Sequence, residues 1–281
     1  LAGACGAPPM RATSVELEPP PAPAAAPTPT ASTSAAAPAA PHVEPPEPEP
    51  EPTPPVAHFE ALPVADHLDA VVALPAATGR QPILFATHGA GGAPEHHCAA
   101  WRQHLGQRGI IVCLRGVMVN RLIGPEAGFY YPNHHALEQE LLATLESFEA
   151  AYADRILPES YVYAGYSQGA TMGALMLPPH AGRFKRVLLV EGGFADWPLA
   201  SARRFTQSGG ERVAFVCGVA TCHRGAEQSA QILTRADSLA LSKYAPGAGH
   251  TYSGAVADRI REALPWLLEN HPGWQTPDSS Q

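Results

Sequence analysis

An α/β fold, a mostly parallel doubly wound sheet with helices on both faces, is predicted from about His58 to Gln281 by three observations. Short continuous apolar runs alternate with segments whose apolar residues recur every three or four positions. Several of the runs end in glycine-rich loops, as strands do when they feed helices in such sheets. The chain has 281 residues with 45% apolar content, enough for one sizeable core and one folded domain over 58–281.

Gln81 to Thr87 reads as a buried strand that runs into His88-Gly89-Ala90-Gly91-Gly92. Pro94 to Arg108 is predicted helical, and Gly109 to Arg115 is the next strand. A long aromatic loop through Phe129, Tyr130 and Tyr131 follows. Leu137, Leu141, Leu145, Phe148 and Tyr152 put one apolar stripe on a helix over 134–155. Ser160 to Ala164, Arg186 to Val190 and Arg212 to Val216 read as strands, and Ala226 to Ala236 as a helix. A short strand, Leu239 to Tyr244, precedes a glycine loop holding His250, and a last helix is spaced through Val256, Ile260, Leu264 and Leu267, with Pro265 a candidate kink.

Gly165-Tyr166-Ser167-Gln168-Gly169 lies between a predicted strand and the small-residue segment Ala170 to Leu177. A serine on a sharp strand-to-helix turn, flanked by glycines that let backbones approach, is the setting this motif serves. On these residues the region from about 80 to 270 resembles the α/β-hydrolase superfamily, nearest to small lidless esterases of the dienelactone hydrolase and carboxylesterase kinds. The resemblance implies that Ser167 is the nucleophile and that an oxyanion hole is formed by the Gln168 amide and an amide at Ala90 or Gly91. It also implies that His250, between the last strand and the last helix, is the general base.

The third member departs from the family pattern. Relatives usually place an Asp after the strand that here ends Val216-Cys217-Gly218, yet Val219-Ala220-Thr221-Cys222-His223-Arg224 has no carboxylate. Glu191, at the tip of the preceding strand, is the favoured acid; Asp196 in the same loop is the alternative, and Glu227 lies further on. Phe129, Tyr130, Tyr131 and Trp197 stand as candidate pocket walls, with core packing the alternative. About twenty residues separate Glu191 from the next strand, too few for a large helical lid, so an open site is expected.

Ahead of the domain, residues 7–57 are Pro, Ala, Glu, Ser and Thr with few large apolar side chains, and 17 of the 31 prolines fall there. A disordered, extended tether is expected, since proline fixes φ and removes amide donors. Residues 1–6, Leu1-Ala2-Gly3-Ala4-Cys5-Gly6, resemble the end of a bacterial lipoprotein signal, with Cys5 as the lipidated residue and membrane attachment through it. The other four cysteines are an even set, consistent with export to the periplasm or outer surface. Cys217 and Cys222 are close enough to close a small loop; Cys98 and Cys113 either pair or stay as buried thiols.

A net charge of -8 and the lack of any basic run argue against nucleic acid as a partner. His96-His97-Cys98 and His134-His135 lack the spacing of a zinc motif, so neither metal nor organic cofactor is expected. The predicted chemistry is hydrolysis of a small-molecule carboxylic ester through an acyl-serine. A surface lipoprotein that keeps the fold as a binding scaffold, without catalysis, is the rival reading, motivated by the missing Asp.

Overall fold

A computed structural model describes residues 58–274. Cys5, the proline-rich segment and the last seven residues lie outside this range. One eight-stranded sheet organises the described chain, in the order β1-β2-β4-β3-β7-β8-β9-β10. Its strands are β1 (His58–Leu62), β2 (Ala70–Leu74), β3 (Ile83–Thr87), β4 (Ile110–Cys113), β7 (Val162–Tyr166), β8 (Arg186–Val190), β9 (Arg212–Cys217) and β10 (Leu239–Tyr244). From β4 to β10 every neighbour is parallel, while β1 and β2 are antiparallel additions at one edge. A separate short hairpin pairs β5 (Val117–Met118) with β6 (Phe129–Tyr130).

The strand period of two sorts the apolar runs onto two faces. Ile83, Phe85, Ile110, Val112, Val187, Leu189, Val213 and Phe215 join one core cluster. Leu84, Ala86, Ile111, Cys113, Leu188, Val190, Ala214 and Val216 join the other. The first is covered by α2 (His134–Ala151), α3 (Gln168–Met176), α4 (Leu199–Gln207) and α5 (Ala220–Arg235). The second is covered by α1 (Pro94–Leu105) and α6 (Gly254–Leu268). Because both faces are buried, the central strands are continuous apolar runs rather than alternating ones.

Local chemistry sets the helix ends. Pro94 opens α1, where its missing amide hydrogen costs nothing. Asn133 caps α2, its side chain accepting from the Ala136 amide at 2.9 Å. Helix α6 runs through Pro265 close to its end. Cys98 of α1 is bonded to Cys113 of β4, and Cys217 at the end of β9 to Cys222 in α5. Two cystines fit an oxidising compartment. Among the described residues no helix is long and apolar enough to cross a membrane.

The structure adds elements that the sequence pattern left as loop. Helix α4 buries only Ala202 and Phe205, too sparse a stripe to register as periodic. Helix α5 begins at Ala220, six residues before the predicted start, because its first turns carry Cys222 and Gly225 in place of an apolar stripe. The aromatic loop after β4 holds the β5–β6 hairpin, and β1 is mostly exposed, so neither gives a strong apolar signal.

Three histidines are buried away from the serine loop without a carboxylate partner. Burial lowers the His97 pKa to about 3, and those of His104 and His271 to about 4. Each is neutral when folded and takes a proton on unfolding below its ordinary value near 6.5. Their contribution is complete above about pH 6.5 and is lost as pH falls toward 4. Urea denaturation at pH 5 against pH 7 should show a loss of about 2 kcal/mol from fully buried His97 alone. His97→Gln should reduce that difference by about this amount and leave the share of His104 and His271.

Candidate active site

Ser167 occupies the turn between β7 and α3, with φ of 51° and ψ of −110°. A non-glycine residue held there costs roughly 1–3 kcal/mol and persists only when its surroundings fix it. Its own amide donates to Val190 O at the end of β8 (2.8 Å), and the Gly169 amide donates to His88 O (3.1 Å). A Cβ on Gly165 would come within 2.6 Å of Ala170 N, and one on Gly169 within 2.6 Å of Thr87 O. One on Gly192 would run into Ser167 O. The glycines are therefore the condition for α3 to sit so close to β3 and β8. Beneath the turn, Tyr163 Oη donates to Gly169 O (2.8 Å) and lies 2.6 Å from Thr87 Oγ1.

His250 comes from the glycine-rich loop after β10, and its Nε2 lies 2.8 Å from Ser167 Oγ. Its Nδ1 is in ion-pair contact with Glu191 Oε2 at 3.2 Å. That contact is a matter of distance and charge, since Oε2 has no hydrogen bond of good angle. The histidine side chain is 53% exposed, whereas that of Glu191 is 1% exposed. Glu191 also has a positive φ, 54°, and its Oε1 accepts from the amides of Gly218 and Val219. Tyr166 reaches across the motif, its hydroxyl donating to His250 O at 3.2 Å.

The glycine loop after β3 divides the expected oxyanion donors. The Gly91 amide is already engaged, donating to Phe129 O at 2.8 Å, and Phe129 N returns a bond to Gly92 O. Gly91 is therefore corrected as a donor: the bridge to β6 turns its amide away to a protein carbonyl. Among the described residues, the amides of Ala90 and Gln168 donate to no protein acceptor. Gln168 is held by its side chain, which accepts from Tyr131 N (2.9 Å) and donates to Tyr131 O (3.1 Å). His88 ties the loop down, its ring within 2.8 Å of Gly89 O and 2.9 Å of Arg115 O and stacked on Tyr131. Burial lowers its pKa against the upward pull of both carbonyls.

Of the other carboxylates, Asp196 is half-buried and makes no ion pair with His250; burial raises its pKa. Glu227 is exposed on α5 and pairs with His223 at 3.5 Å. Phe129, Tyr131 and Trp197 are buried core side chains, and of the four aromatic candidates Tyr130 alone keeps part of its surface open. Sequence reasoning missed Tyr166 and the Gln168 side chain as tethers, because nothing in their identity says what they reach. Among the described residues no cluster of His, Cys, Asp and Glu could hold a metal ion.

The strand order, the helices on both faces and the serine at the β7–α3 turn define an α/β-hydrolase fold. Solved structures with the same fold include TT1662 from Thermus thermophilus, 19% identical over 76% of this chain and 99% of that one, with a TM-score of 0.57. A protein of Klebsiella pneumoniae provisionally classed as a dienelactone hydrolase is 16% identical over 76% of this chain and 98% of its own, with a TM-score of 0.56. The feruloyl esterase module from Clostridium thermocellum is 14% identical over 81% and 93%, also with a TM-score of 0.56. No family model and no curated protein sequence matches the chain.

The close approach at the serine turn is testable without substrate. Gly169→Ala puts a methyl against the Thr87 backbone, where overpacking costs about 1–3 kcal/mol or more. Urea denaturation should show a lower midpoint for this variant, whereas Gly79→Ala, with open space around it, should stay within about 0.5 kcal/mol of the parent.

Proposed function

We propose that the protein is a serine hydrolase that cleaves a carboxylic ester through an acyl-serine. The observation that carries this reading is the 2.8 Å contact between His250 Nε2 and Ser167 Oγ, made by two loops 83 residues apart. Nε2 takes the Ser167 proton as Oγ attacks the ester carbonyl, giving a tetrahedral intermediate. The unengaged amides of Gln168 and Ala90 are the donors to its oxyanion, where one such donor is typically worth about 3 kcal/mol of barrier. Collapse passes the proton from His250 to the departing alcohol. Water then repeats the sequence in reverse roles, releasing the acid and regenerating Ser167.

Glu191 holds the imidazole with Nδ1 protonated and Nε2 free to accept, and balances the positive charge on the ring after proton transfer. Its burial and its position at the ring support the enzyme reading over the scaffold, which was motivated by the missing Asp. The half-exposed His250 and the lack of a large insertion between β8 and β9 support an accessible site. The two cystines support export, and lipid attachment at Cys5 extends that proposal to the bacterial cell envelope.

A fluorophosphonate probe should label the wild-type chain and leave Ser167→Ala unlabelled. With p-nitrophenyl esters of rising acyl length, Ser167→Ala and His250→Ala should each lose several orders of magnitude in kcat. Glu191→Gln should lose less, about a hundredfold or more, while Asp196→Asn stays within a few-fold of the parent. Absence of labelling in a correctly folded wild-type chain would favour the scaffold.

A further inference from the structure

The loop after β9, where relatives place their acid, is not idle in this chain. Cys217 ends β9 and Cys222 lies in the first turn of α5, so their cystine encloses Gly218 to Thr221. The first two of those residues turn their amides onto Glu191 Oε1. The same loop also touches the other partner of Glu191. Ala245, which opens the His250 loop, donates its amide to Cys217 O at 2.8 Å, and a Cβ on Gly218 would run into Gly249 O while lying 3.2 Å from Glu191 Oε1. Both sulfurs belong to buried residues, 1% and 2% exposed.

We propose that the Cys217–Cys222 cystine and the Gly218 and Val219 amides it encloses are a positioning device that aims Glu191 at His250. The loop that elsewhere supplies an acid here supplies donors to an acid held on the neighbouring strand. This rests on the reading of Ser167, His250 and Glu191 as a triad. A glutamate side chain has more rotatable bonds than an aspartate, and it reaches here from a residue at positive φ. Two amides on one oxygen fix the carboxylate plane and leave Oε2 for the imidazole. A cross-link over a separation of 5 adds less to global stability than one over 15, as between Cys98 and Cys113. Helix α5 is already seated through Cys222, Ala226 and Leu233 in the core. The main effect of the short cystine is therefore on the shape of four residues. Gly218 completes the device, since only a residue without Cβ fits between the acid and Gly249 O.

The test is a coupling measurement on the full chain. Cys217→Ser with Cys222→Ser should lower kcat for a p-nitrophenyl ester tenfold or more, with KM within twofold. In a Glu191→Gln background the same pair should cost less than twofold, because there is no carboxylate left to aim. Cys217→Ala with Cys222→Ala, smaller and apolar in these buried positions, should show the same dependence on Glu191 and stands in if the serine pair fails to fold. Equal losses in both backgrounds, or no loss when Glu191 is present, would overturn the proposal. Hydrogen exchange at the Gly218 and Val219 amides reads the device without substrate: protection should be lost both in Glu191→Ala, which removes the acceptor, and in the serine pair. A wild-type chain with this protection but no fluorophosphonate labelling would sink the hydrolase reading alone. Unprotected amides in a chain that labels would sink the positioning device alone.

Discussion

The closeness of α3 to the ends of β3 and β8 is the constraint from which the rest of the site follows. Three glycines let backbone meet backbone there, and the Ser167 amide is anchored on Val190 O. The anchor holds Ser167 at a φ that a loose turn would abandon. It also places the first amide of α3 and the loop after β3 at one end of the sheet, where the carboxyl ends of parallel strands leave a crevice. The other members of the site are aligned to this point by tethers. Tyr166 holds the His250 loop, Gln168 holds Tyr131, and His88 holds the loop after β3 against Arg115.

Much of this architecture was legible in sequence because both faces of the sheet are buried. Strands such as β3, β8 and β9 are then unbroken apolar runs, and α2 and α6 carry full apolar stripes. Helix α4 and strand β1 escaped because each buries too little to impose a period on its residues. At the candidate site, Ser167 and His250 were singled out by motif context and family resemblance, and the structure places their side chains 2.8 Å apart. The donor set was not: whether Gly91 faces the crevice or Phe129 depends on a bridge between segments almost forty residues apart, which no local pattern encodes.

Glu191 illustrates a different limit. The sequence offered three carboxylates near the right strands and favoured Glu191 by its place at a strand tip, without saying what any of their oxygens meets. The structure separates them by what surrounds each oxygen. Glu191 meets two amides and an imidazole, Asp196 meets no ionic partner at His250, and Glu227 faces a surface histidine. On the proposed reading the acid stands one strand earlier than usual and the ring stays in reach, since β8 and β9 are parallel neighbours in register. The cost is a longer side chain and a positive φ.

The imidazole that faces Ser167 is also half in solvent. On the proposed chemistry, the covalent intermediate is formed at a rim where, among the described residues, the ring stays half-exposed, with bulk water within reach as soon as the alcohol departs. Such a rim discriminates poorly by alcohol size and gives a second alcohol little advantage over water, so turnover ends in free acid rather than in transfer of the acyl group.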